Sequence, residues 1–349
     1  MIRDVLEQVE AWLGQGRRVA VGTVVATWGS APRALGSCMA VSDAGGLAGS
    51  VSGGCVETAV VQEAREVLKG APPHLLRFGV ADETAWAVGL ACGGSIEVFV
   101  EALDPSVFAS QREAVLRDEP LALATVIAGP APELGRHAVL RAGGVASGSL
   151  EGPLRTAAAA LLEDALATGR SVRLAVAGVE LFVDVLLPLP TLVVVGGVHI
   201  AVALVTLART LGFRTVVVDP RPAFANPERF PHADRIESAW PDDALARVGL
   251  TSATAVAVLT HDPKLDDPAL RAALPSAAFY VGALGSKNTQ AKRRNRLLEA
   301  GLSEAQIDRL RAPIGLDLGG RSPEEIALSV MAEVVAARHG RASAREGKA

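Results

Sequence analysis

The sequence predicts an α/β protein: an N-terminal α/β domain carrying an internal duplication, followed by a C-terminal Rossmann-like, doubly wound parallel sheet. Three observations predict it. Hydrophobic residues fill 50% of the 349 positions and charged residues only 21%, which supplies packed cores and leaves too little polarity for disorder. In the second half, wholly apolar runs alternate with helical patterns, as parallel strands covered on both faces do. In the first half, three sequence blocks recur in the same order. At roughly 150 residues per domain the length suits two. We place them at 1–188 and 189–340, with a flexible tail over 341–349.

The chain opens with a helix over 2–14, on which Ile2, Val5, Leu6, Val9 and Leu13 repeat at helical spacing. Residues 19–26 read as a buried strand. The stretch 27–36, which includes Gly29-Ser30-Ala31-Pro32-Arg33, is too rich in Gly and Pro for regular structure. Residues 38–42 and 47–51 read as a hairpin around Asp43-Ala44-Gly45-Gly46. Ser50-Val51-Ser52-Gly53-Gly54-Cys55-Val56-Glu57 then leads into a helix reaching Lys69. The turn Cys92-Gly93-Gly94 feeds a strand over 95–100.

The recurring blocks set the repeats at 19–103 and 121–187. Thr23-Val24-Val25-Ala26 matches Thr125-Val126-Ile127-Ala128, and Gly45-Gly46-Leu47-Ala48 matches Gly143-Gly144-Val145-Ala146. Ser95-Ile96-Glu97-Val98-Phe99-Val100 matches Gly178-Val179-Glu180-Leu181-Phe182-Val183. Where the first copy has Gly53-Gly54-Cys55-Val56-Glu57, the second has Glu151-Gly152-Pro153-Leu154-Arg155, and nothing there answers to Cys92-Gly93-Gly94. Chemistry is therefore expected in the first copy.

From Thr191 the pattern changes. Apolar runs at 192–195, 215–218, 255–259 and 277–281 read as strands. The first is followed by Gly196-Gly197 and a helix to Leu211, and the second ends in Asp219. Ser322-Pro323-Glu324-Glu325 starts the last helix with a capping box and proline at its first position.

Composition excludes several classes. A net charge of −4 and one short basic stretch, 287–296, argue against a nucleic-acid partner. No apolar stretch reaches the roughly 18 residues of a membrane span, and Pro188 and Pro190 interrupt the richest candidate. Three scattered cysteines make neither a disulfide framework nor a structural zinc site. Mixed charge near the start (Arg3, Asp4, Glu7, Glu10) does not read as a secretion signal, so a cytoplasmic protein is expected.

Cys55 is the first chemical candidate. With a helix starting near Gly54 the thiol falls in its first turn, where the dipole favours an anion. It could then serve as nucleophile, sulfur carrier or soft metal ligand, or simply pack as a small hydrophobe. Gly53 and Gly54 would keep side chains from crowding it, and Glu57 is the candidate acid or base. Cys92 shares the small-residue setting, while Cys38 reads as core. Arg33 is either an anion contact or a surface charge.

The second candidate is the sheet edge of the C-terminal half. Gly196-Gly197-Val198-His199 departs from the dinucleotide fingerprint, because Val198 stands where glycine lets pyrophosphate approach. Tight NAD(P) binding is therefore not expected, although Asp219 sits where an acid would take a ribose hydroxyl. His261-Asp262 and Gly285-Ser286-Lys287 follow later strands and should converge on the same crevice. His199 is either a ligand-facing donor or a capping residue. The arginines at 293–296 read as a solvated basic face.

Together these motifs resemble the xanthine dehydrogenase accessory factors, the XdhC/CoxI family. Its N-terminal domain resembles Gly29–Arg33, Gly49–Glu57 and Cys92-Gly93-Gly94. Its Rossmann domain resembles Val217-Val218-Asp219-Pro220-Arg221, Phe230-Pro231, Thr260-His261-Asp262, Tyr280–Ser286 and Ile314-Gly315-Leu316-Asp317. The resemblance implies a chaperone without turnover of its own, whose cargo is the molybdenum cofactor, as molybdopterin or its cytosine dinucleotide. It implies that the cofactor is held while a cysteine desulfurase supplies sulfur, then delivered to a molybdenum hydroxylase such as xanthine dehydrogenase. Cys55 would be the molybdenum- or sulfur-handling thiol, with Cys92 a second, and the Rossmann crevice would take the pterin or its phosphate. A homodimer is expected. An NAD(P)-dependent oxidoreductase and an assembly factor that binds only the client enzyme are the competing readings.

Overall fold

The computed structural model describes residues 1–29, 33–79, 94–141 and 144–341. It divides into two compact units, Met1–Pro188 and Leu189–Ala349. Among the described residues no helix is long and apolar enough to cross a membrane. Cys92, Gly93 and all but the first residue of the tail 341–349 lie outside the described residues.

The first unit holds two five-stranded sheets. After α1 (Leu6–Gly14), the first sheet is built from β1 (Val19–Trp28), β2 (Cys38–Ser42), β3 (Leu47–Gly49), β4 (His74–Phe78) and β5 (Ser95–Ala102). The helix α2 (Glu57–Leu68) lies between β3 and β4 in the chain. The second sheet uses β6 (Leu121–Ala128), β7 (His137–Arg141), β8 (Gly144–Gly148), β9 (Val172–Val176) and β10 (Val179–Leu186), with α4 (Gly152–Thr168) in the corresponding place. Their orders are β3-β2-β1-β5-β4 and β8-β7-β6-β10-β9, so corresponding strands take corresponding places. Between the sheets in the chain, α3 (Pro105–Arg117) starts on Asp104, whose carboxylate accepts from the amides of Ser106 and Val107 at 2.8 and 3.2 Å.

Alternation within the strands decides the layering. Ala20, Val24, Met39, Val41, Val98 and Val100 point toward Val60, Ala64 and Val67 of α2. Ala122, Ala124, Leu181 and Val183 meet Ala158 and Leu162 of α4 in the same way. The opposite faces pack together through Val25 and Phe99 of the first sheet and Ile127 and Phe182 of the second. Helix, sheet, sheet, helix is the result.

The second unit has one six-stranded parallel sheet, ordered β13-β12-β11-β14-β15-β16. Its strands are β11 (Thr191–Val195), β12 (Arg214–Val218), β13 (Arg235–Glu237), β14 (Thr254–Val258), β15 (Tyr280–Ala283) and β16 (Leu310–Arg311). This is the Rossmann order. One face packs on α5 (His199–Thr210) and α10 (Pro323–Arg338), the other on α6 (Pro241–Val248), α7 (Pro263–Ala273) and α8 (Lys287–Glu299), while α9 (Glu304–Ile307) precedes β16. The strand expected over 277–281 instead starts at Tyr280. The reason is Arg309, whose guanidinium donates to the carbonyls of Leu274, Ser276 and Ala278 at 2.5, 2.8 and 2.5 Å and ties that segment down as a loop.

Candidate functional site

Residues 50–57 form a densely hydrogen-bonded polar loop of the first unit. The helix begins at Glu57, not near Gly54, so Cys55 precedes the first turn. Glu57 takes the place expected for the thiol, facing the amides. Its Oε1 accepts from Ser50 Oγ at 2.7 Å and from the amides of Val51, Ser52 and Gly53 at 3.2, 2.8 and 3.0 Å. Its Oε2 accepts from Ser52 Oγ at 2.5 Å and from the amides of Gly54 and Val56 at 2.9 and 3.2 Å. Burial pushes this acid up, but the two serine hydroxyls and the amides outweigh burial and hold it at about 2. An acid held that low, with both oxygens filled, neither donates a proton at neutral pH nor is free to accept one. Glu57 is thus corrected from acid/base candidate to structural anion.

Gly53 and Gly54 are needed for their backbone conformation. A Cβ on either would meet nothing within 4 Å beyond the adjacent residues of the chain. Their φ values are +87° and +124°, a region side chains avoid, and this reversal turns successive amides toward one carboxylate. Cys55 itself is half-buried, packs against the α2 core, and donates its amide to Ser52 Oγ at 3.0 Å.

The remaining candidates of this unit separate. Cys38 is buried and belongs to the core on the opposite face of the first sheet, so the two thiols are not brought together. Burial pushes its thiol up to about 12. Arg33 is exposed and makes no hydrogen bond or ion pair among the described residues, although Leu35 packs on the same core as Cys55.

Sequence reasoning missed a polar cluster between the two sheets. A cavity of about 50 Å³ is lined by Cys38, Glu101, Gln111, His137 and Asp184 among others. His137 is 4% exposed, its Nε2 lies 3.0 Å from Glu101 Oε2, and its Nδ1 has no hydrogen-bond partner among the described residues. Burial opposes charge on this imidazole, yet the Glu101 carboxylate prevails and its pKa rises. Asp184 moves upward too, because burial exceeds the help of Ser171. No local sequence signal pairs residues 36 positions apart on different strands.

In the second unit the expected residues follow the carboxyl ends of β11, β12, β14 and β15. A Cβ on Gly196 would meet Thr260, and one on Gly197 would meet the Phe224 carbonyl. These glycines admit the chain's own loops. Gly197 donates its amide to Asp219 at 2.9 Å, and Arg221 binds the same carboxylate through Nε at 2.8 Å and Nη2 at 2.7 Å. Asp219 is fully buried, and although burial raises its acid, Arg221 holds it below the usual range. A ribose hydroxyl would have to displace Arg221. His199 and His261 are exposed, Asp262 caps α7 through the Lys264 amide at 3.0 Å, and Ser286 caps α8 through the Thr289 amide at 3.3 Å. Gly285 has φ +137°, and Lys287 is the first residue of α8.

The basic face at 293–296 is only partly solvated. Arg293 is 1% exposed and donates to Asp266 at 2.6 Å and the Leu284 carbonyl at 3.0 Å, while Asp266 accepts from Thr260. Arg294 and Arg296 pair with Asp308 and Asp267 at 2.7 and 2.6 Å. Among the described residues no group of three His, Cys, Asp or Glu side chains is arranged to hold a metal ion.

Comparison with known proteins matches both units. Residues 12–79 fit the family model described as the XdhC and CoxI family, and residues 192–334 that of the XdhC Rossmann domain. A Bacillus subtilis relative, described as a probable subunit of xanthine dehydrogenase, is 28% identical over 337 residues, covering 95% of this chain and 96% of the relative. The Escherichia coli molybdenum cofactor insertion chaperone PaoD is 28% identical over 345 residues, covering 96% and 88%. A crystal structure described as a xanthine dehydrogenase from Bacillus halodurans superposes with TM-score 0.76 at 25% identity, covering 98% of this chain and 97% of that one.

Proposed function

Because the chain belongs to the XdhC/CoxI family, we propose that it is a molybdenum cofactor chaperone: it holds the pterin cofactor during sulfuration and delivers it to a xanthine dehydrogenase-type molybdenum hydroxylase. The observation that carries this reading is the 50–57 loop, which holds a half-buried cysteine in a hydrogen-bonded turn gathered around the Glu57 carboxylate. A relative that aligns over 96% of this chain is named as an insertion chaperone for the same cofactor. Cys55 supplies the soft donor for molybdenum or sulfur. A cysteine desulfurase is the sulfur source in this reading, a cytoplasmic homodimer the working form, and the pterin or its cytosine dinucleotide the cargo.

The occupied amide of Gly197 and the Arg221 grip on Asp219 disfavour NAD(P) in its usual pose. Anaerobic purification from a molybdenum-replete host, with bound molybdenum and released pterin measured together, tests the proposal. We expect both near one per chain, and neither in Cys55→Ala. Full loading of that variant removes the thiol from the site. No loading of the wild type, even with cofactor released from a hydroxylase, removes the chaperone reading.

A further inference from the structure

We infer that Glu57 is the positioning residue of the Cys55 thiol: its carboxylate fills, from within the chain, the amide nest of residues 51–56 and fixes the loop before cargo arrives. This rests on Cys55 being the working thiol.

Successive backbone amides that converge on one point form an anion site, and helix starts commonly offer such sites to phosphate. Here the amides of Val51, Ser52, Gly53, Gly54 and Val56 all donate to one side chain. The cargo's phosphate therefore finds no donors in this loop. The amide of Cys55 is the exception within the run. It donates to Ser52 Oγ at 3.0 Å, and that hydroxyl in turn donates to Glu57 Oε2. Glu57 thus holds the cysteine backbone through Ser52, one bond removed, and leaves the thiol outside the nest.

The second sheet shows that the fold does not require this device. There α4 begins at Gly152 with Glu151 as its N-cap, and among the described residues no carboxylate gathers the amides before it. A helix can follow the third strand of this topology without a nest. Among the described residues only the crossover that carries Cys55 has the nest, which supports a role for it in handling cargo.

The experiment measures molybdenum and pterin per chain for Glu57→Ala, Glu57→Gln and Cys55→Ala, with circular dichroism of each. We expect Glu57→Ala to fold and to load at least tenfold less cofactor. Added formate, a free carboxylate sized for the vacated nest, should restore loading in that variant and do nothing for Cys55→Ala. In Glu57→Gln, which keeps the shape and loses the second acceptor, we expect reduced loading and faster hydrogen exchange confined to the amides of 51–56. Wild-type loading in both Glu57 variants, with loading lost in Cys55→Ala, overturns the positioning role alone. Loss of folding in both Glu57 variants overturns it in favour of a purely architectural carboxylate. Normal loading in Cys55→Ala fails the underlying reading instead.

Discussion

The two sheets of the first unit share one strand order and differ at the crossover after the third strand of each. In the first, β3 is followed by a loop whose amides wrap Glu57 before α2 starts; in the second, α4 starts directly at Gly152. The correspondence continues at single positions. Thr23 pairs with Cys38 on β2 as Thr125 pairs with His137 on β7, and Val21 pairs with Glu101 as Leu123 pairs with Asp184. Cys38 and His137 are thus counterparts, as are Glu101 and Asp184, and all four line one cavity. The same scaffold carries an ion pair on one side of that cavity, and a thiol with a carboxyl on the other. A shared order with divergent side chains is what an internal duplication would leave. The comparison teaches that one strand order tolerates many side chains, because backbone pairing sets it, while the nest around Glu57 stands where the two sheets differ.

The largest expected effect breaks the comparison at its functional end. Cys55→Ala abolishes cofactor loading, whereas Leu154→Ala, in the segment that replaces the nest, leaves it unchanged when molybdenum per chain is assayed.

Next comes the cavity. His137→Ala strands the Glu101 carboxylate between the sheets and should cost about 3 kcal/mol in urea unfolding. Since folding raises the His137 pKa, its contribution is complete below the ordinary imidazole value of 6.5 and fades as pH rises through the folded value. The variant should therefore lose most stability at acidic pH and least at alkaline pH. Cys38→His sharpens the contrast by placing an imidazole opposite Asp184. Unfolding curves of this variant should acquire a second dependence of the same sign.

Glu57 has the opposite sign. Its acid is depressed to about 2, so its stabilisation is present above the unfolded value near 4.5 and is lost as pH falls toward 2. Glu57→Gln should flatten the acid limb of the unfolding profile by about 1–2 kcal/mol, since partial exposure screens the rest. Arg155→Ala, at the corresponding place in the second sheet, should leave that limb unchanged. The smallest effect belongs to Arg173, which donates to Glu97 of the first sheet at 2.6 Å and to Glu180 of the second at 2.5 Å. Arg173→Ala should cost about 1 kcal/mol by thermal unfolding, and less in high salt.

Much of this molecule is legible in the sequence. Apolar runs such as Leu192–Val195, short, β-branched and bounded by glycine or proline, read as strands covered on both sides, and the glycines at 53, 54, 196 and 197 announce unusual backbone. Their purposes are not legible. Gly197 admits the Phe224 carbonyl, and Gly53 turns an amide toward Glu57; a sequence shows the missing side chain but not the atom that replaces it. Arg293 reads as solvated among its basic neighbours, and only the position of Asp266 on α7 turns it into a buried ion pair.

What the sequence by itself determined is whatever depends on neighbours along the chain: strand and helix periodicity, caps, the recurrence of blocks, and the motif around Cys55. Only the tertiary structure decided which groups face one another. Cys38 and Cys55 fall on opposite faces of one sheet, His137 meets Glu101 across two sheets, and Arg221 rather than a free ribose site completes Asp219. The physical reason is range. Propensity and periodicity act within a few residues, whereas the charge state of a group is set by what packs against it, however distant in the chain.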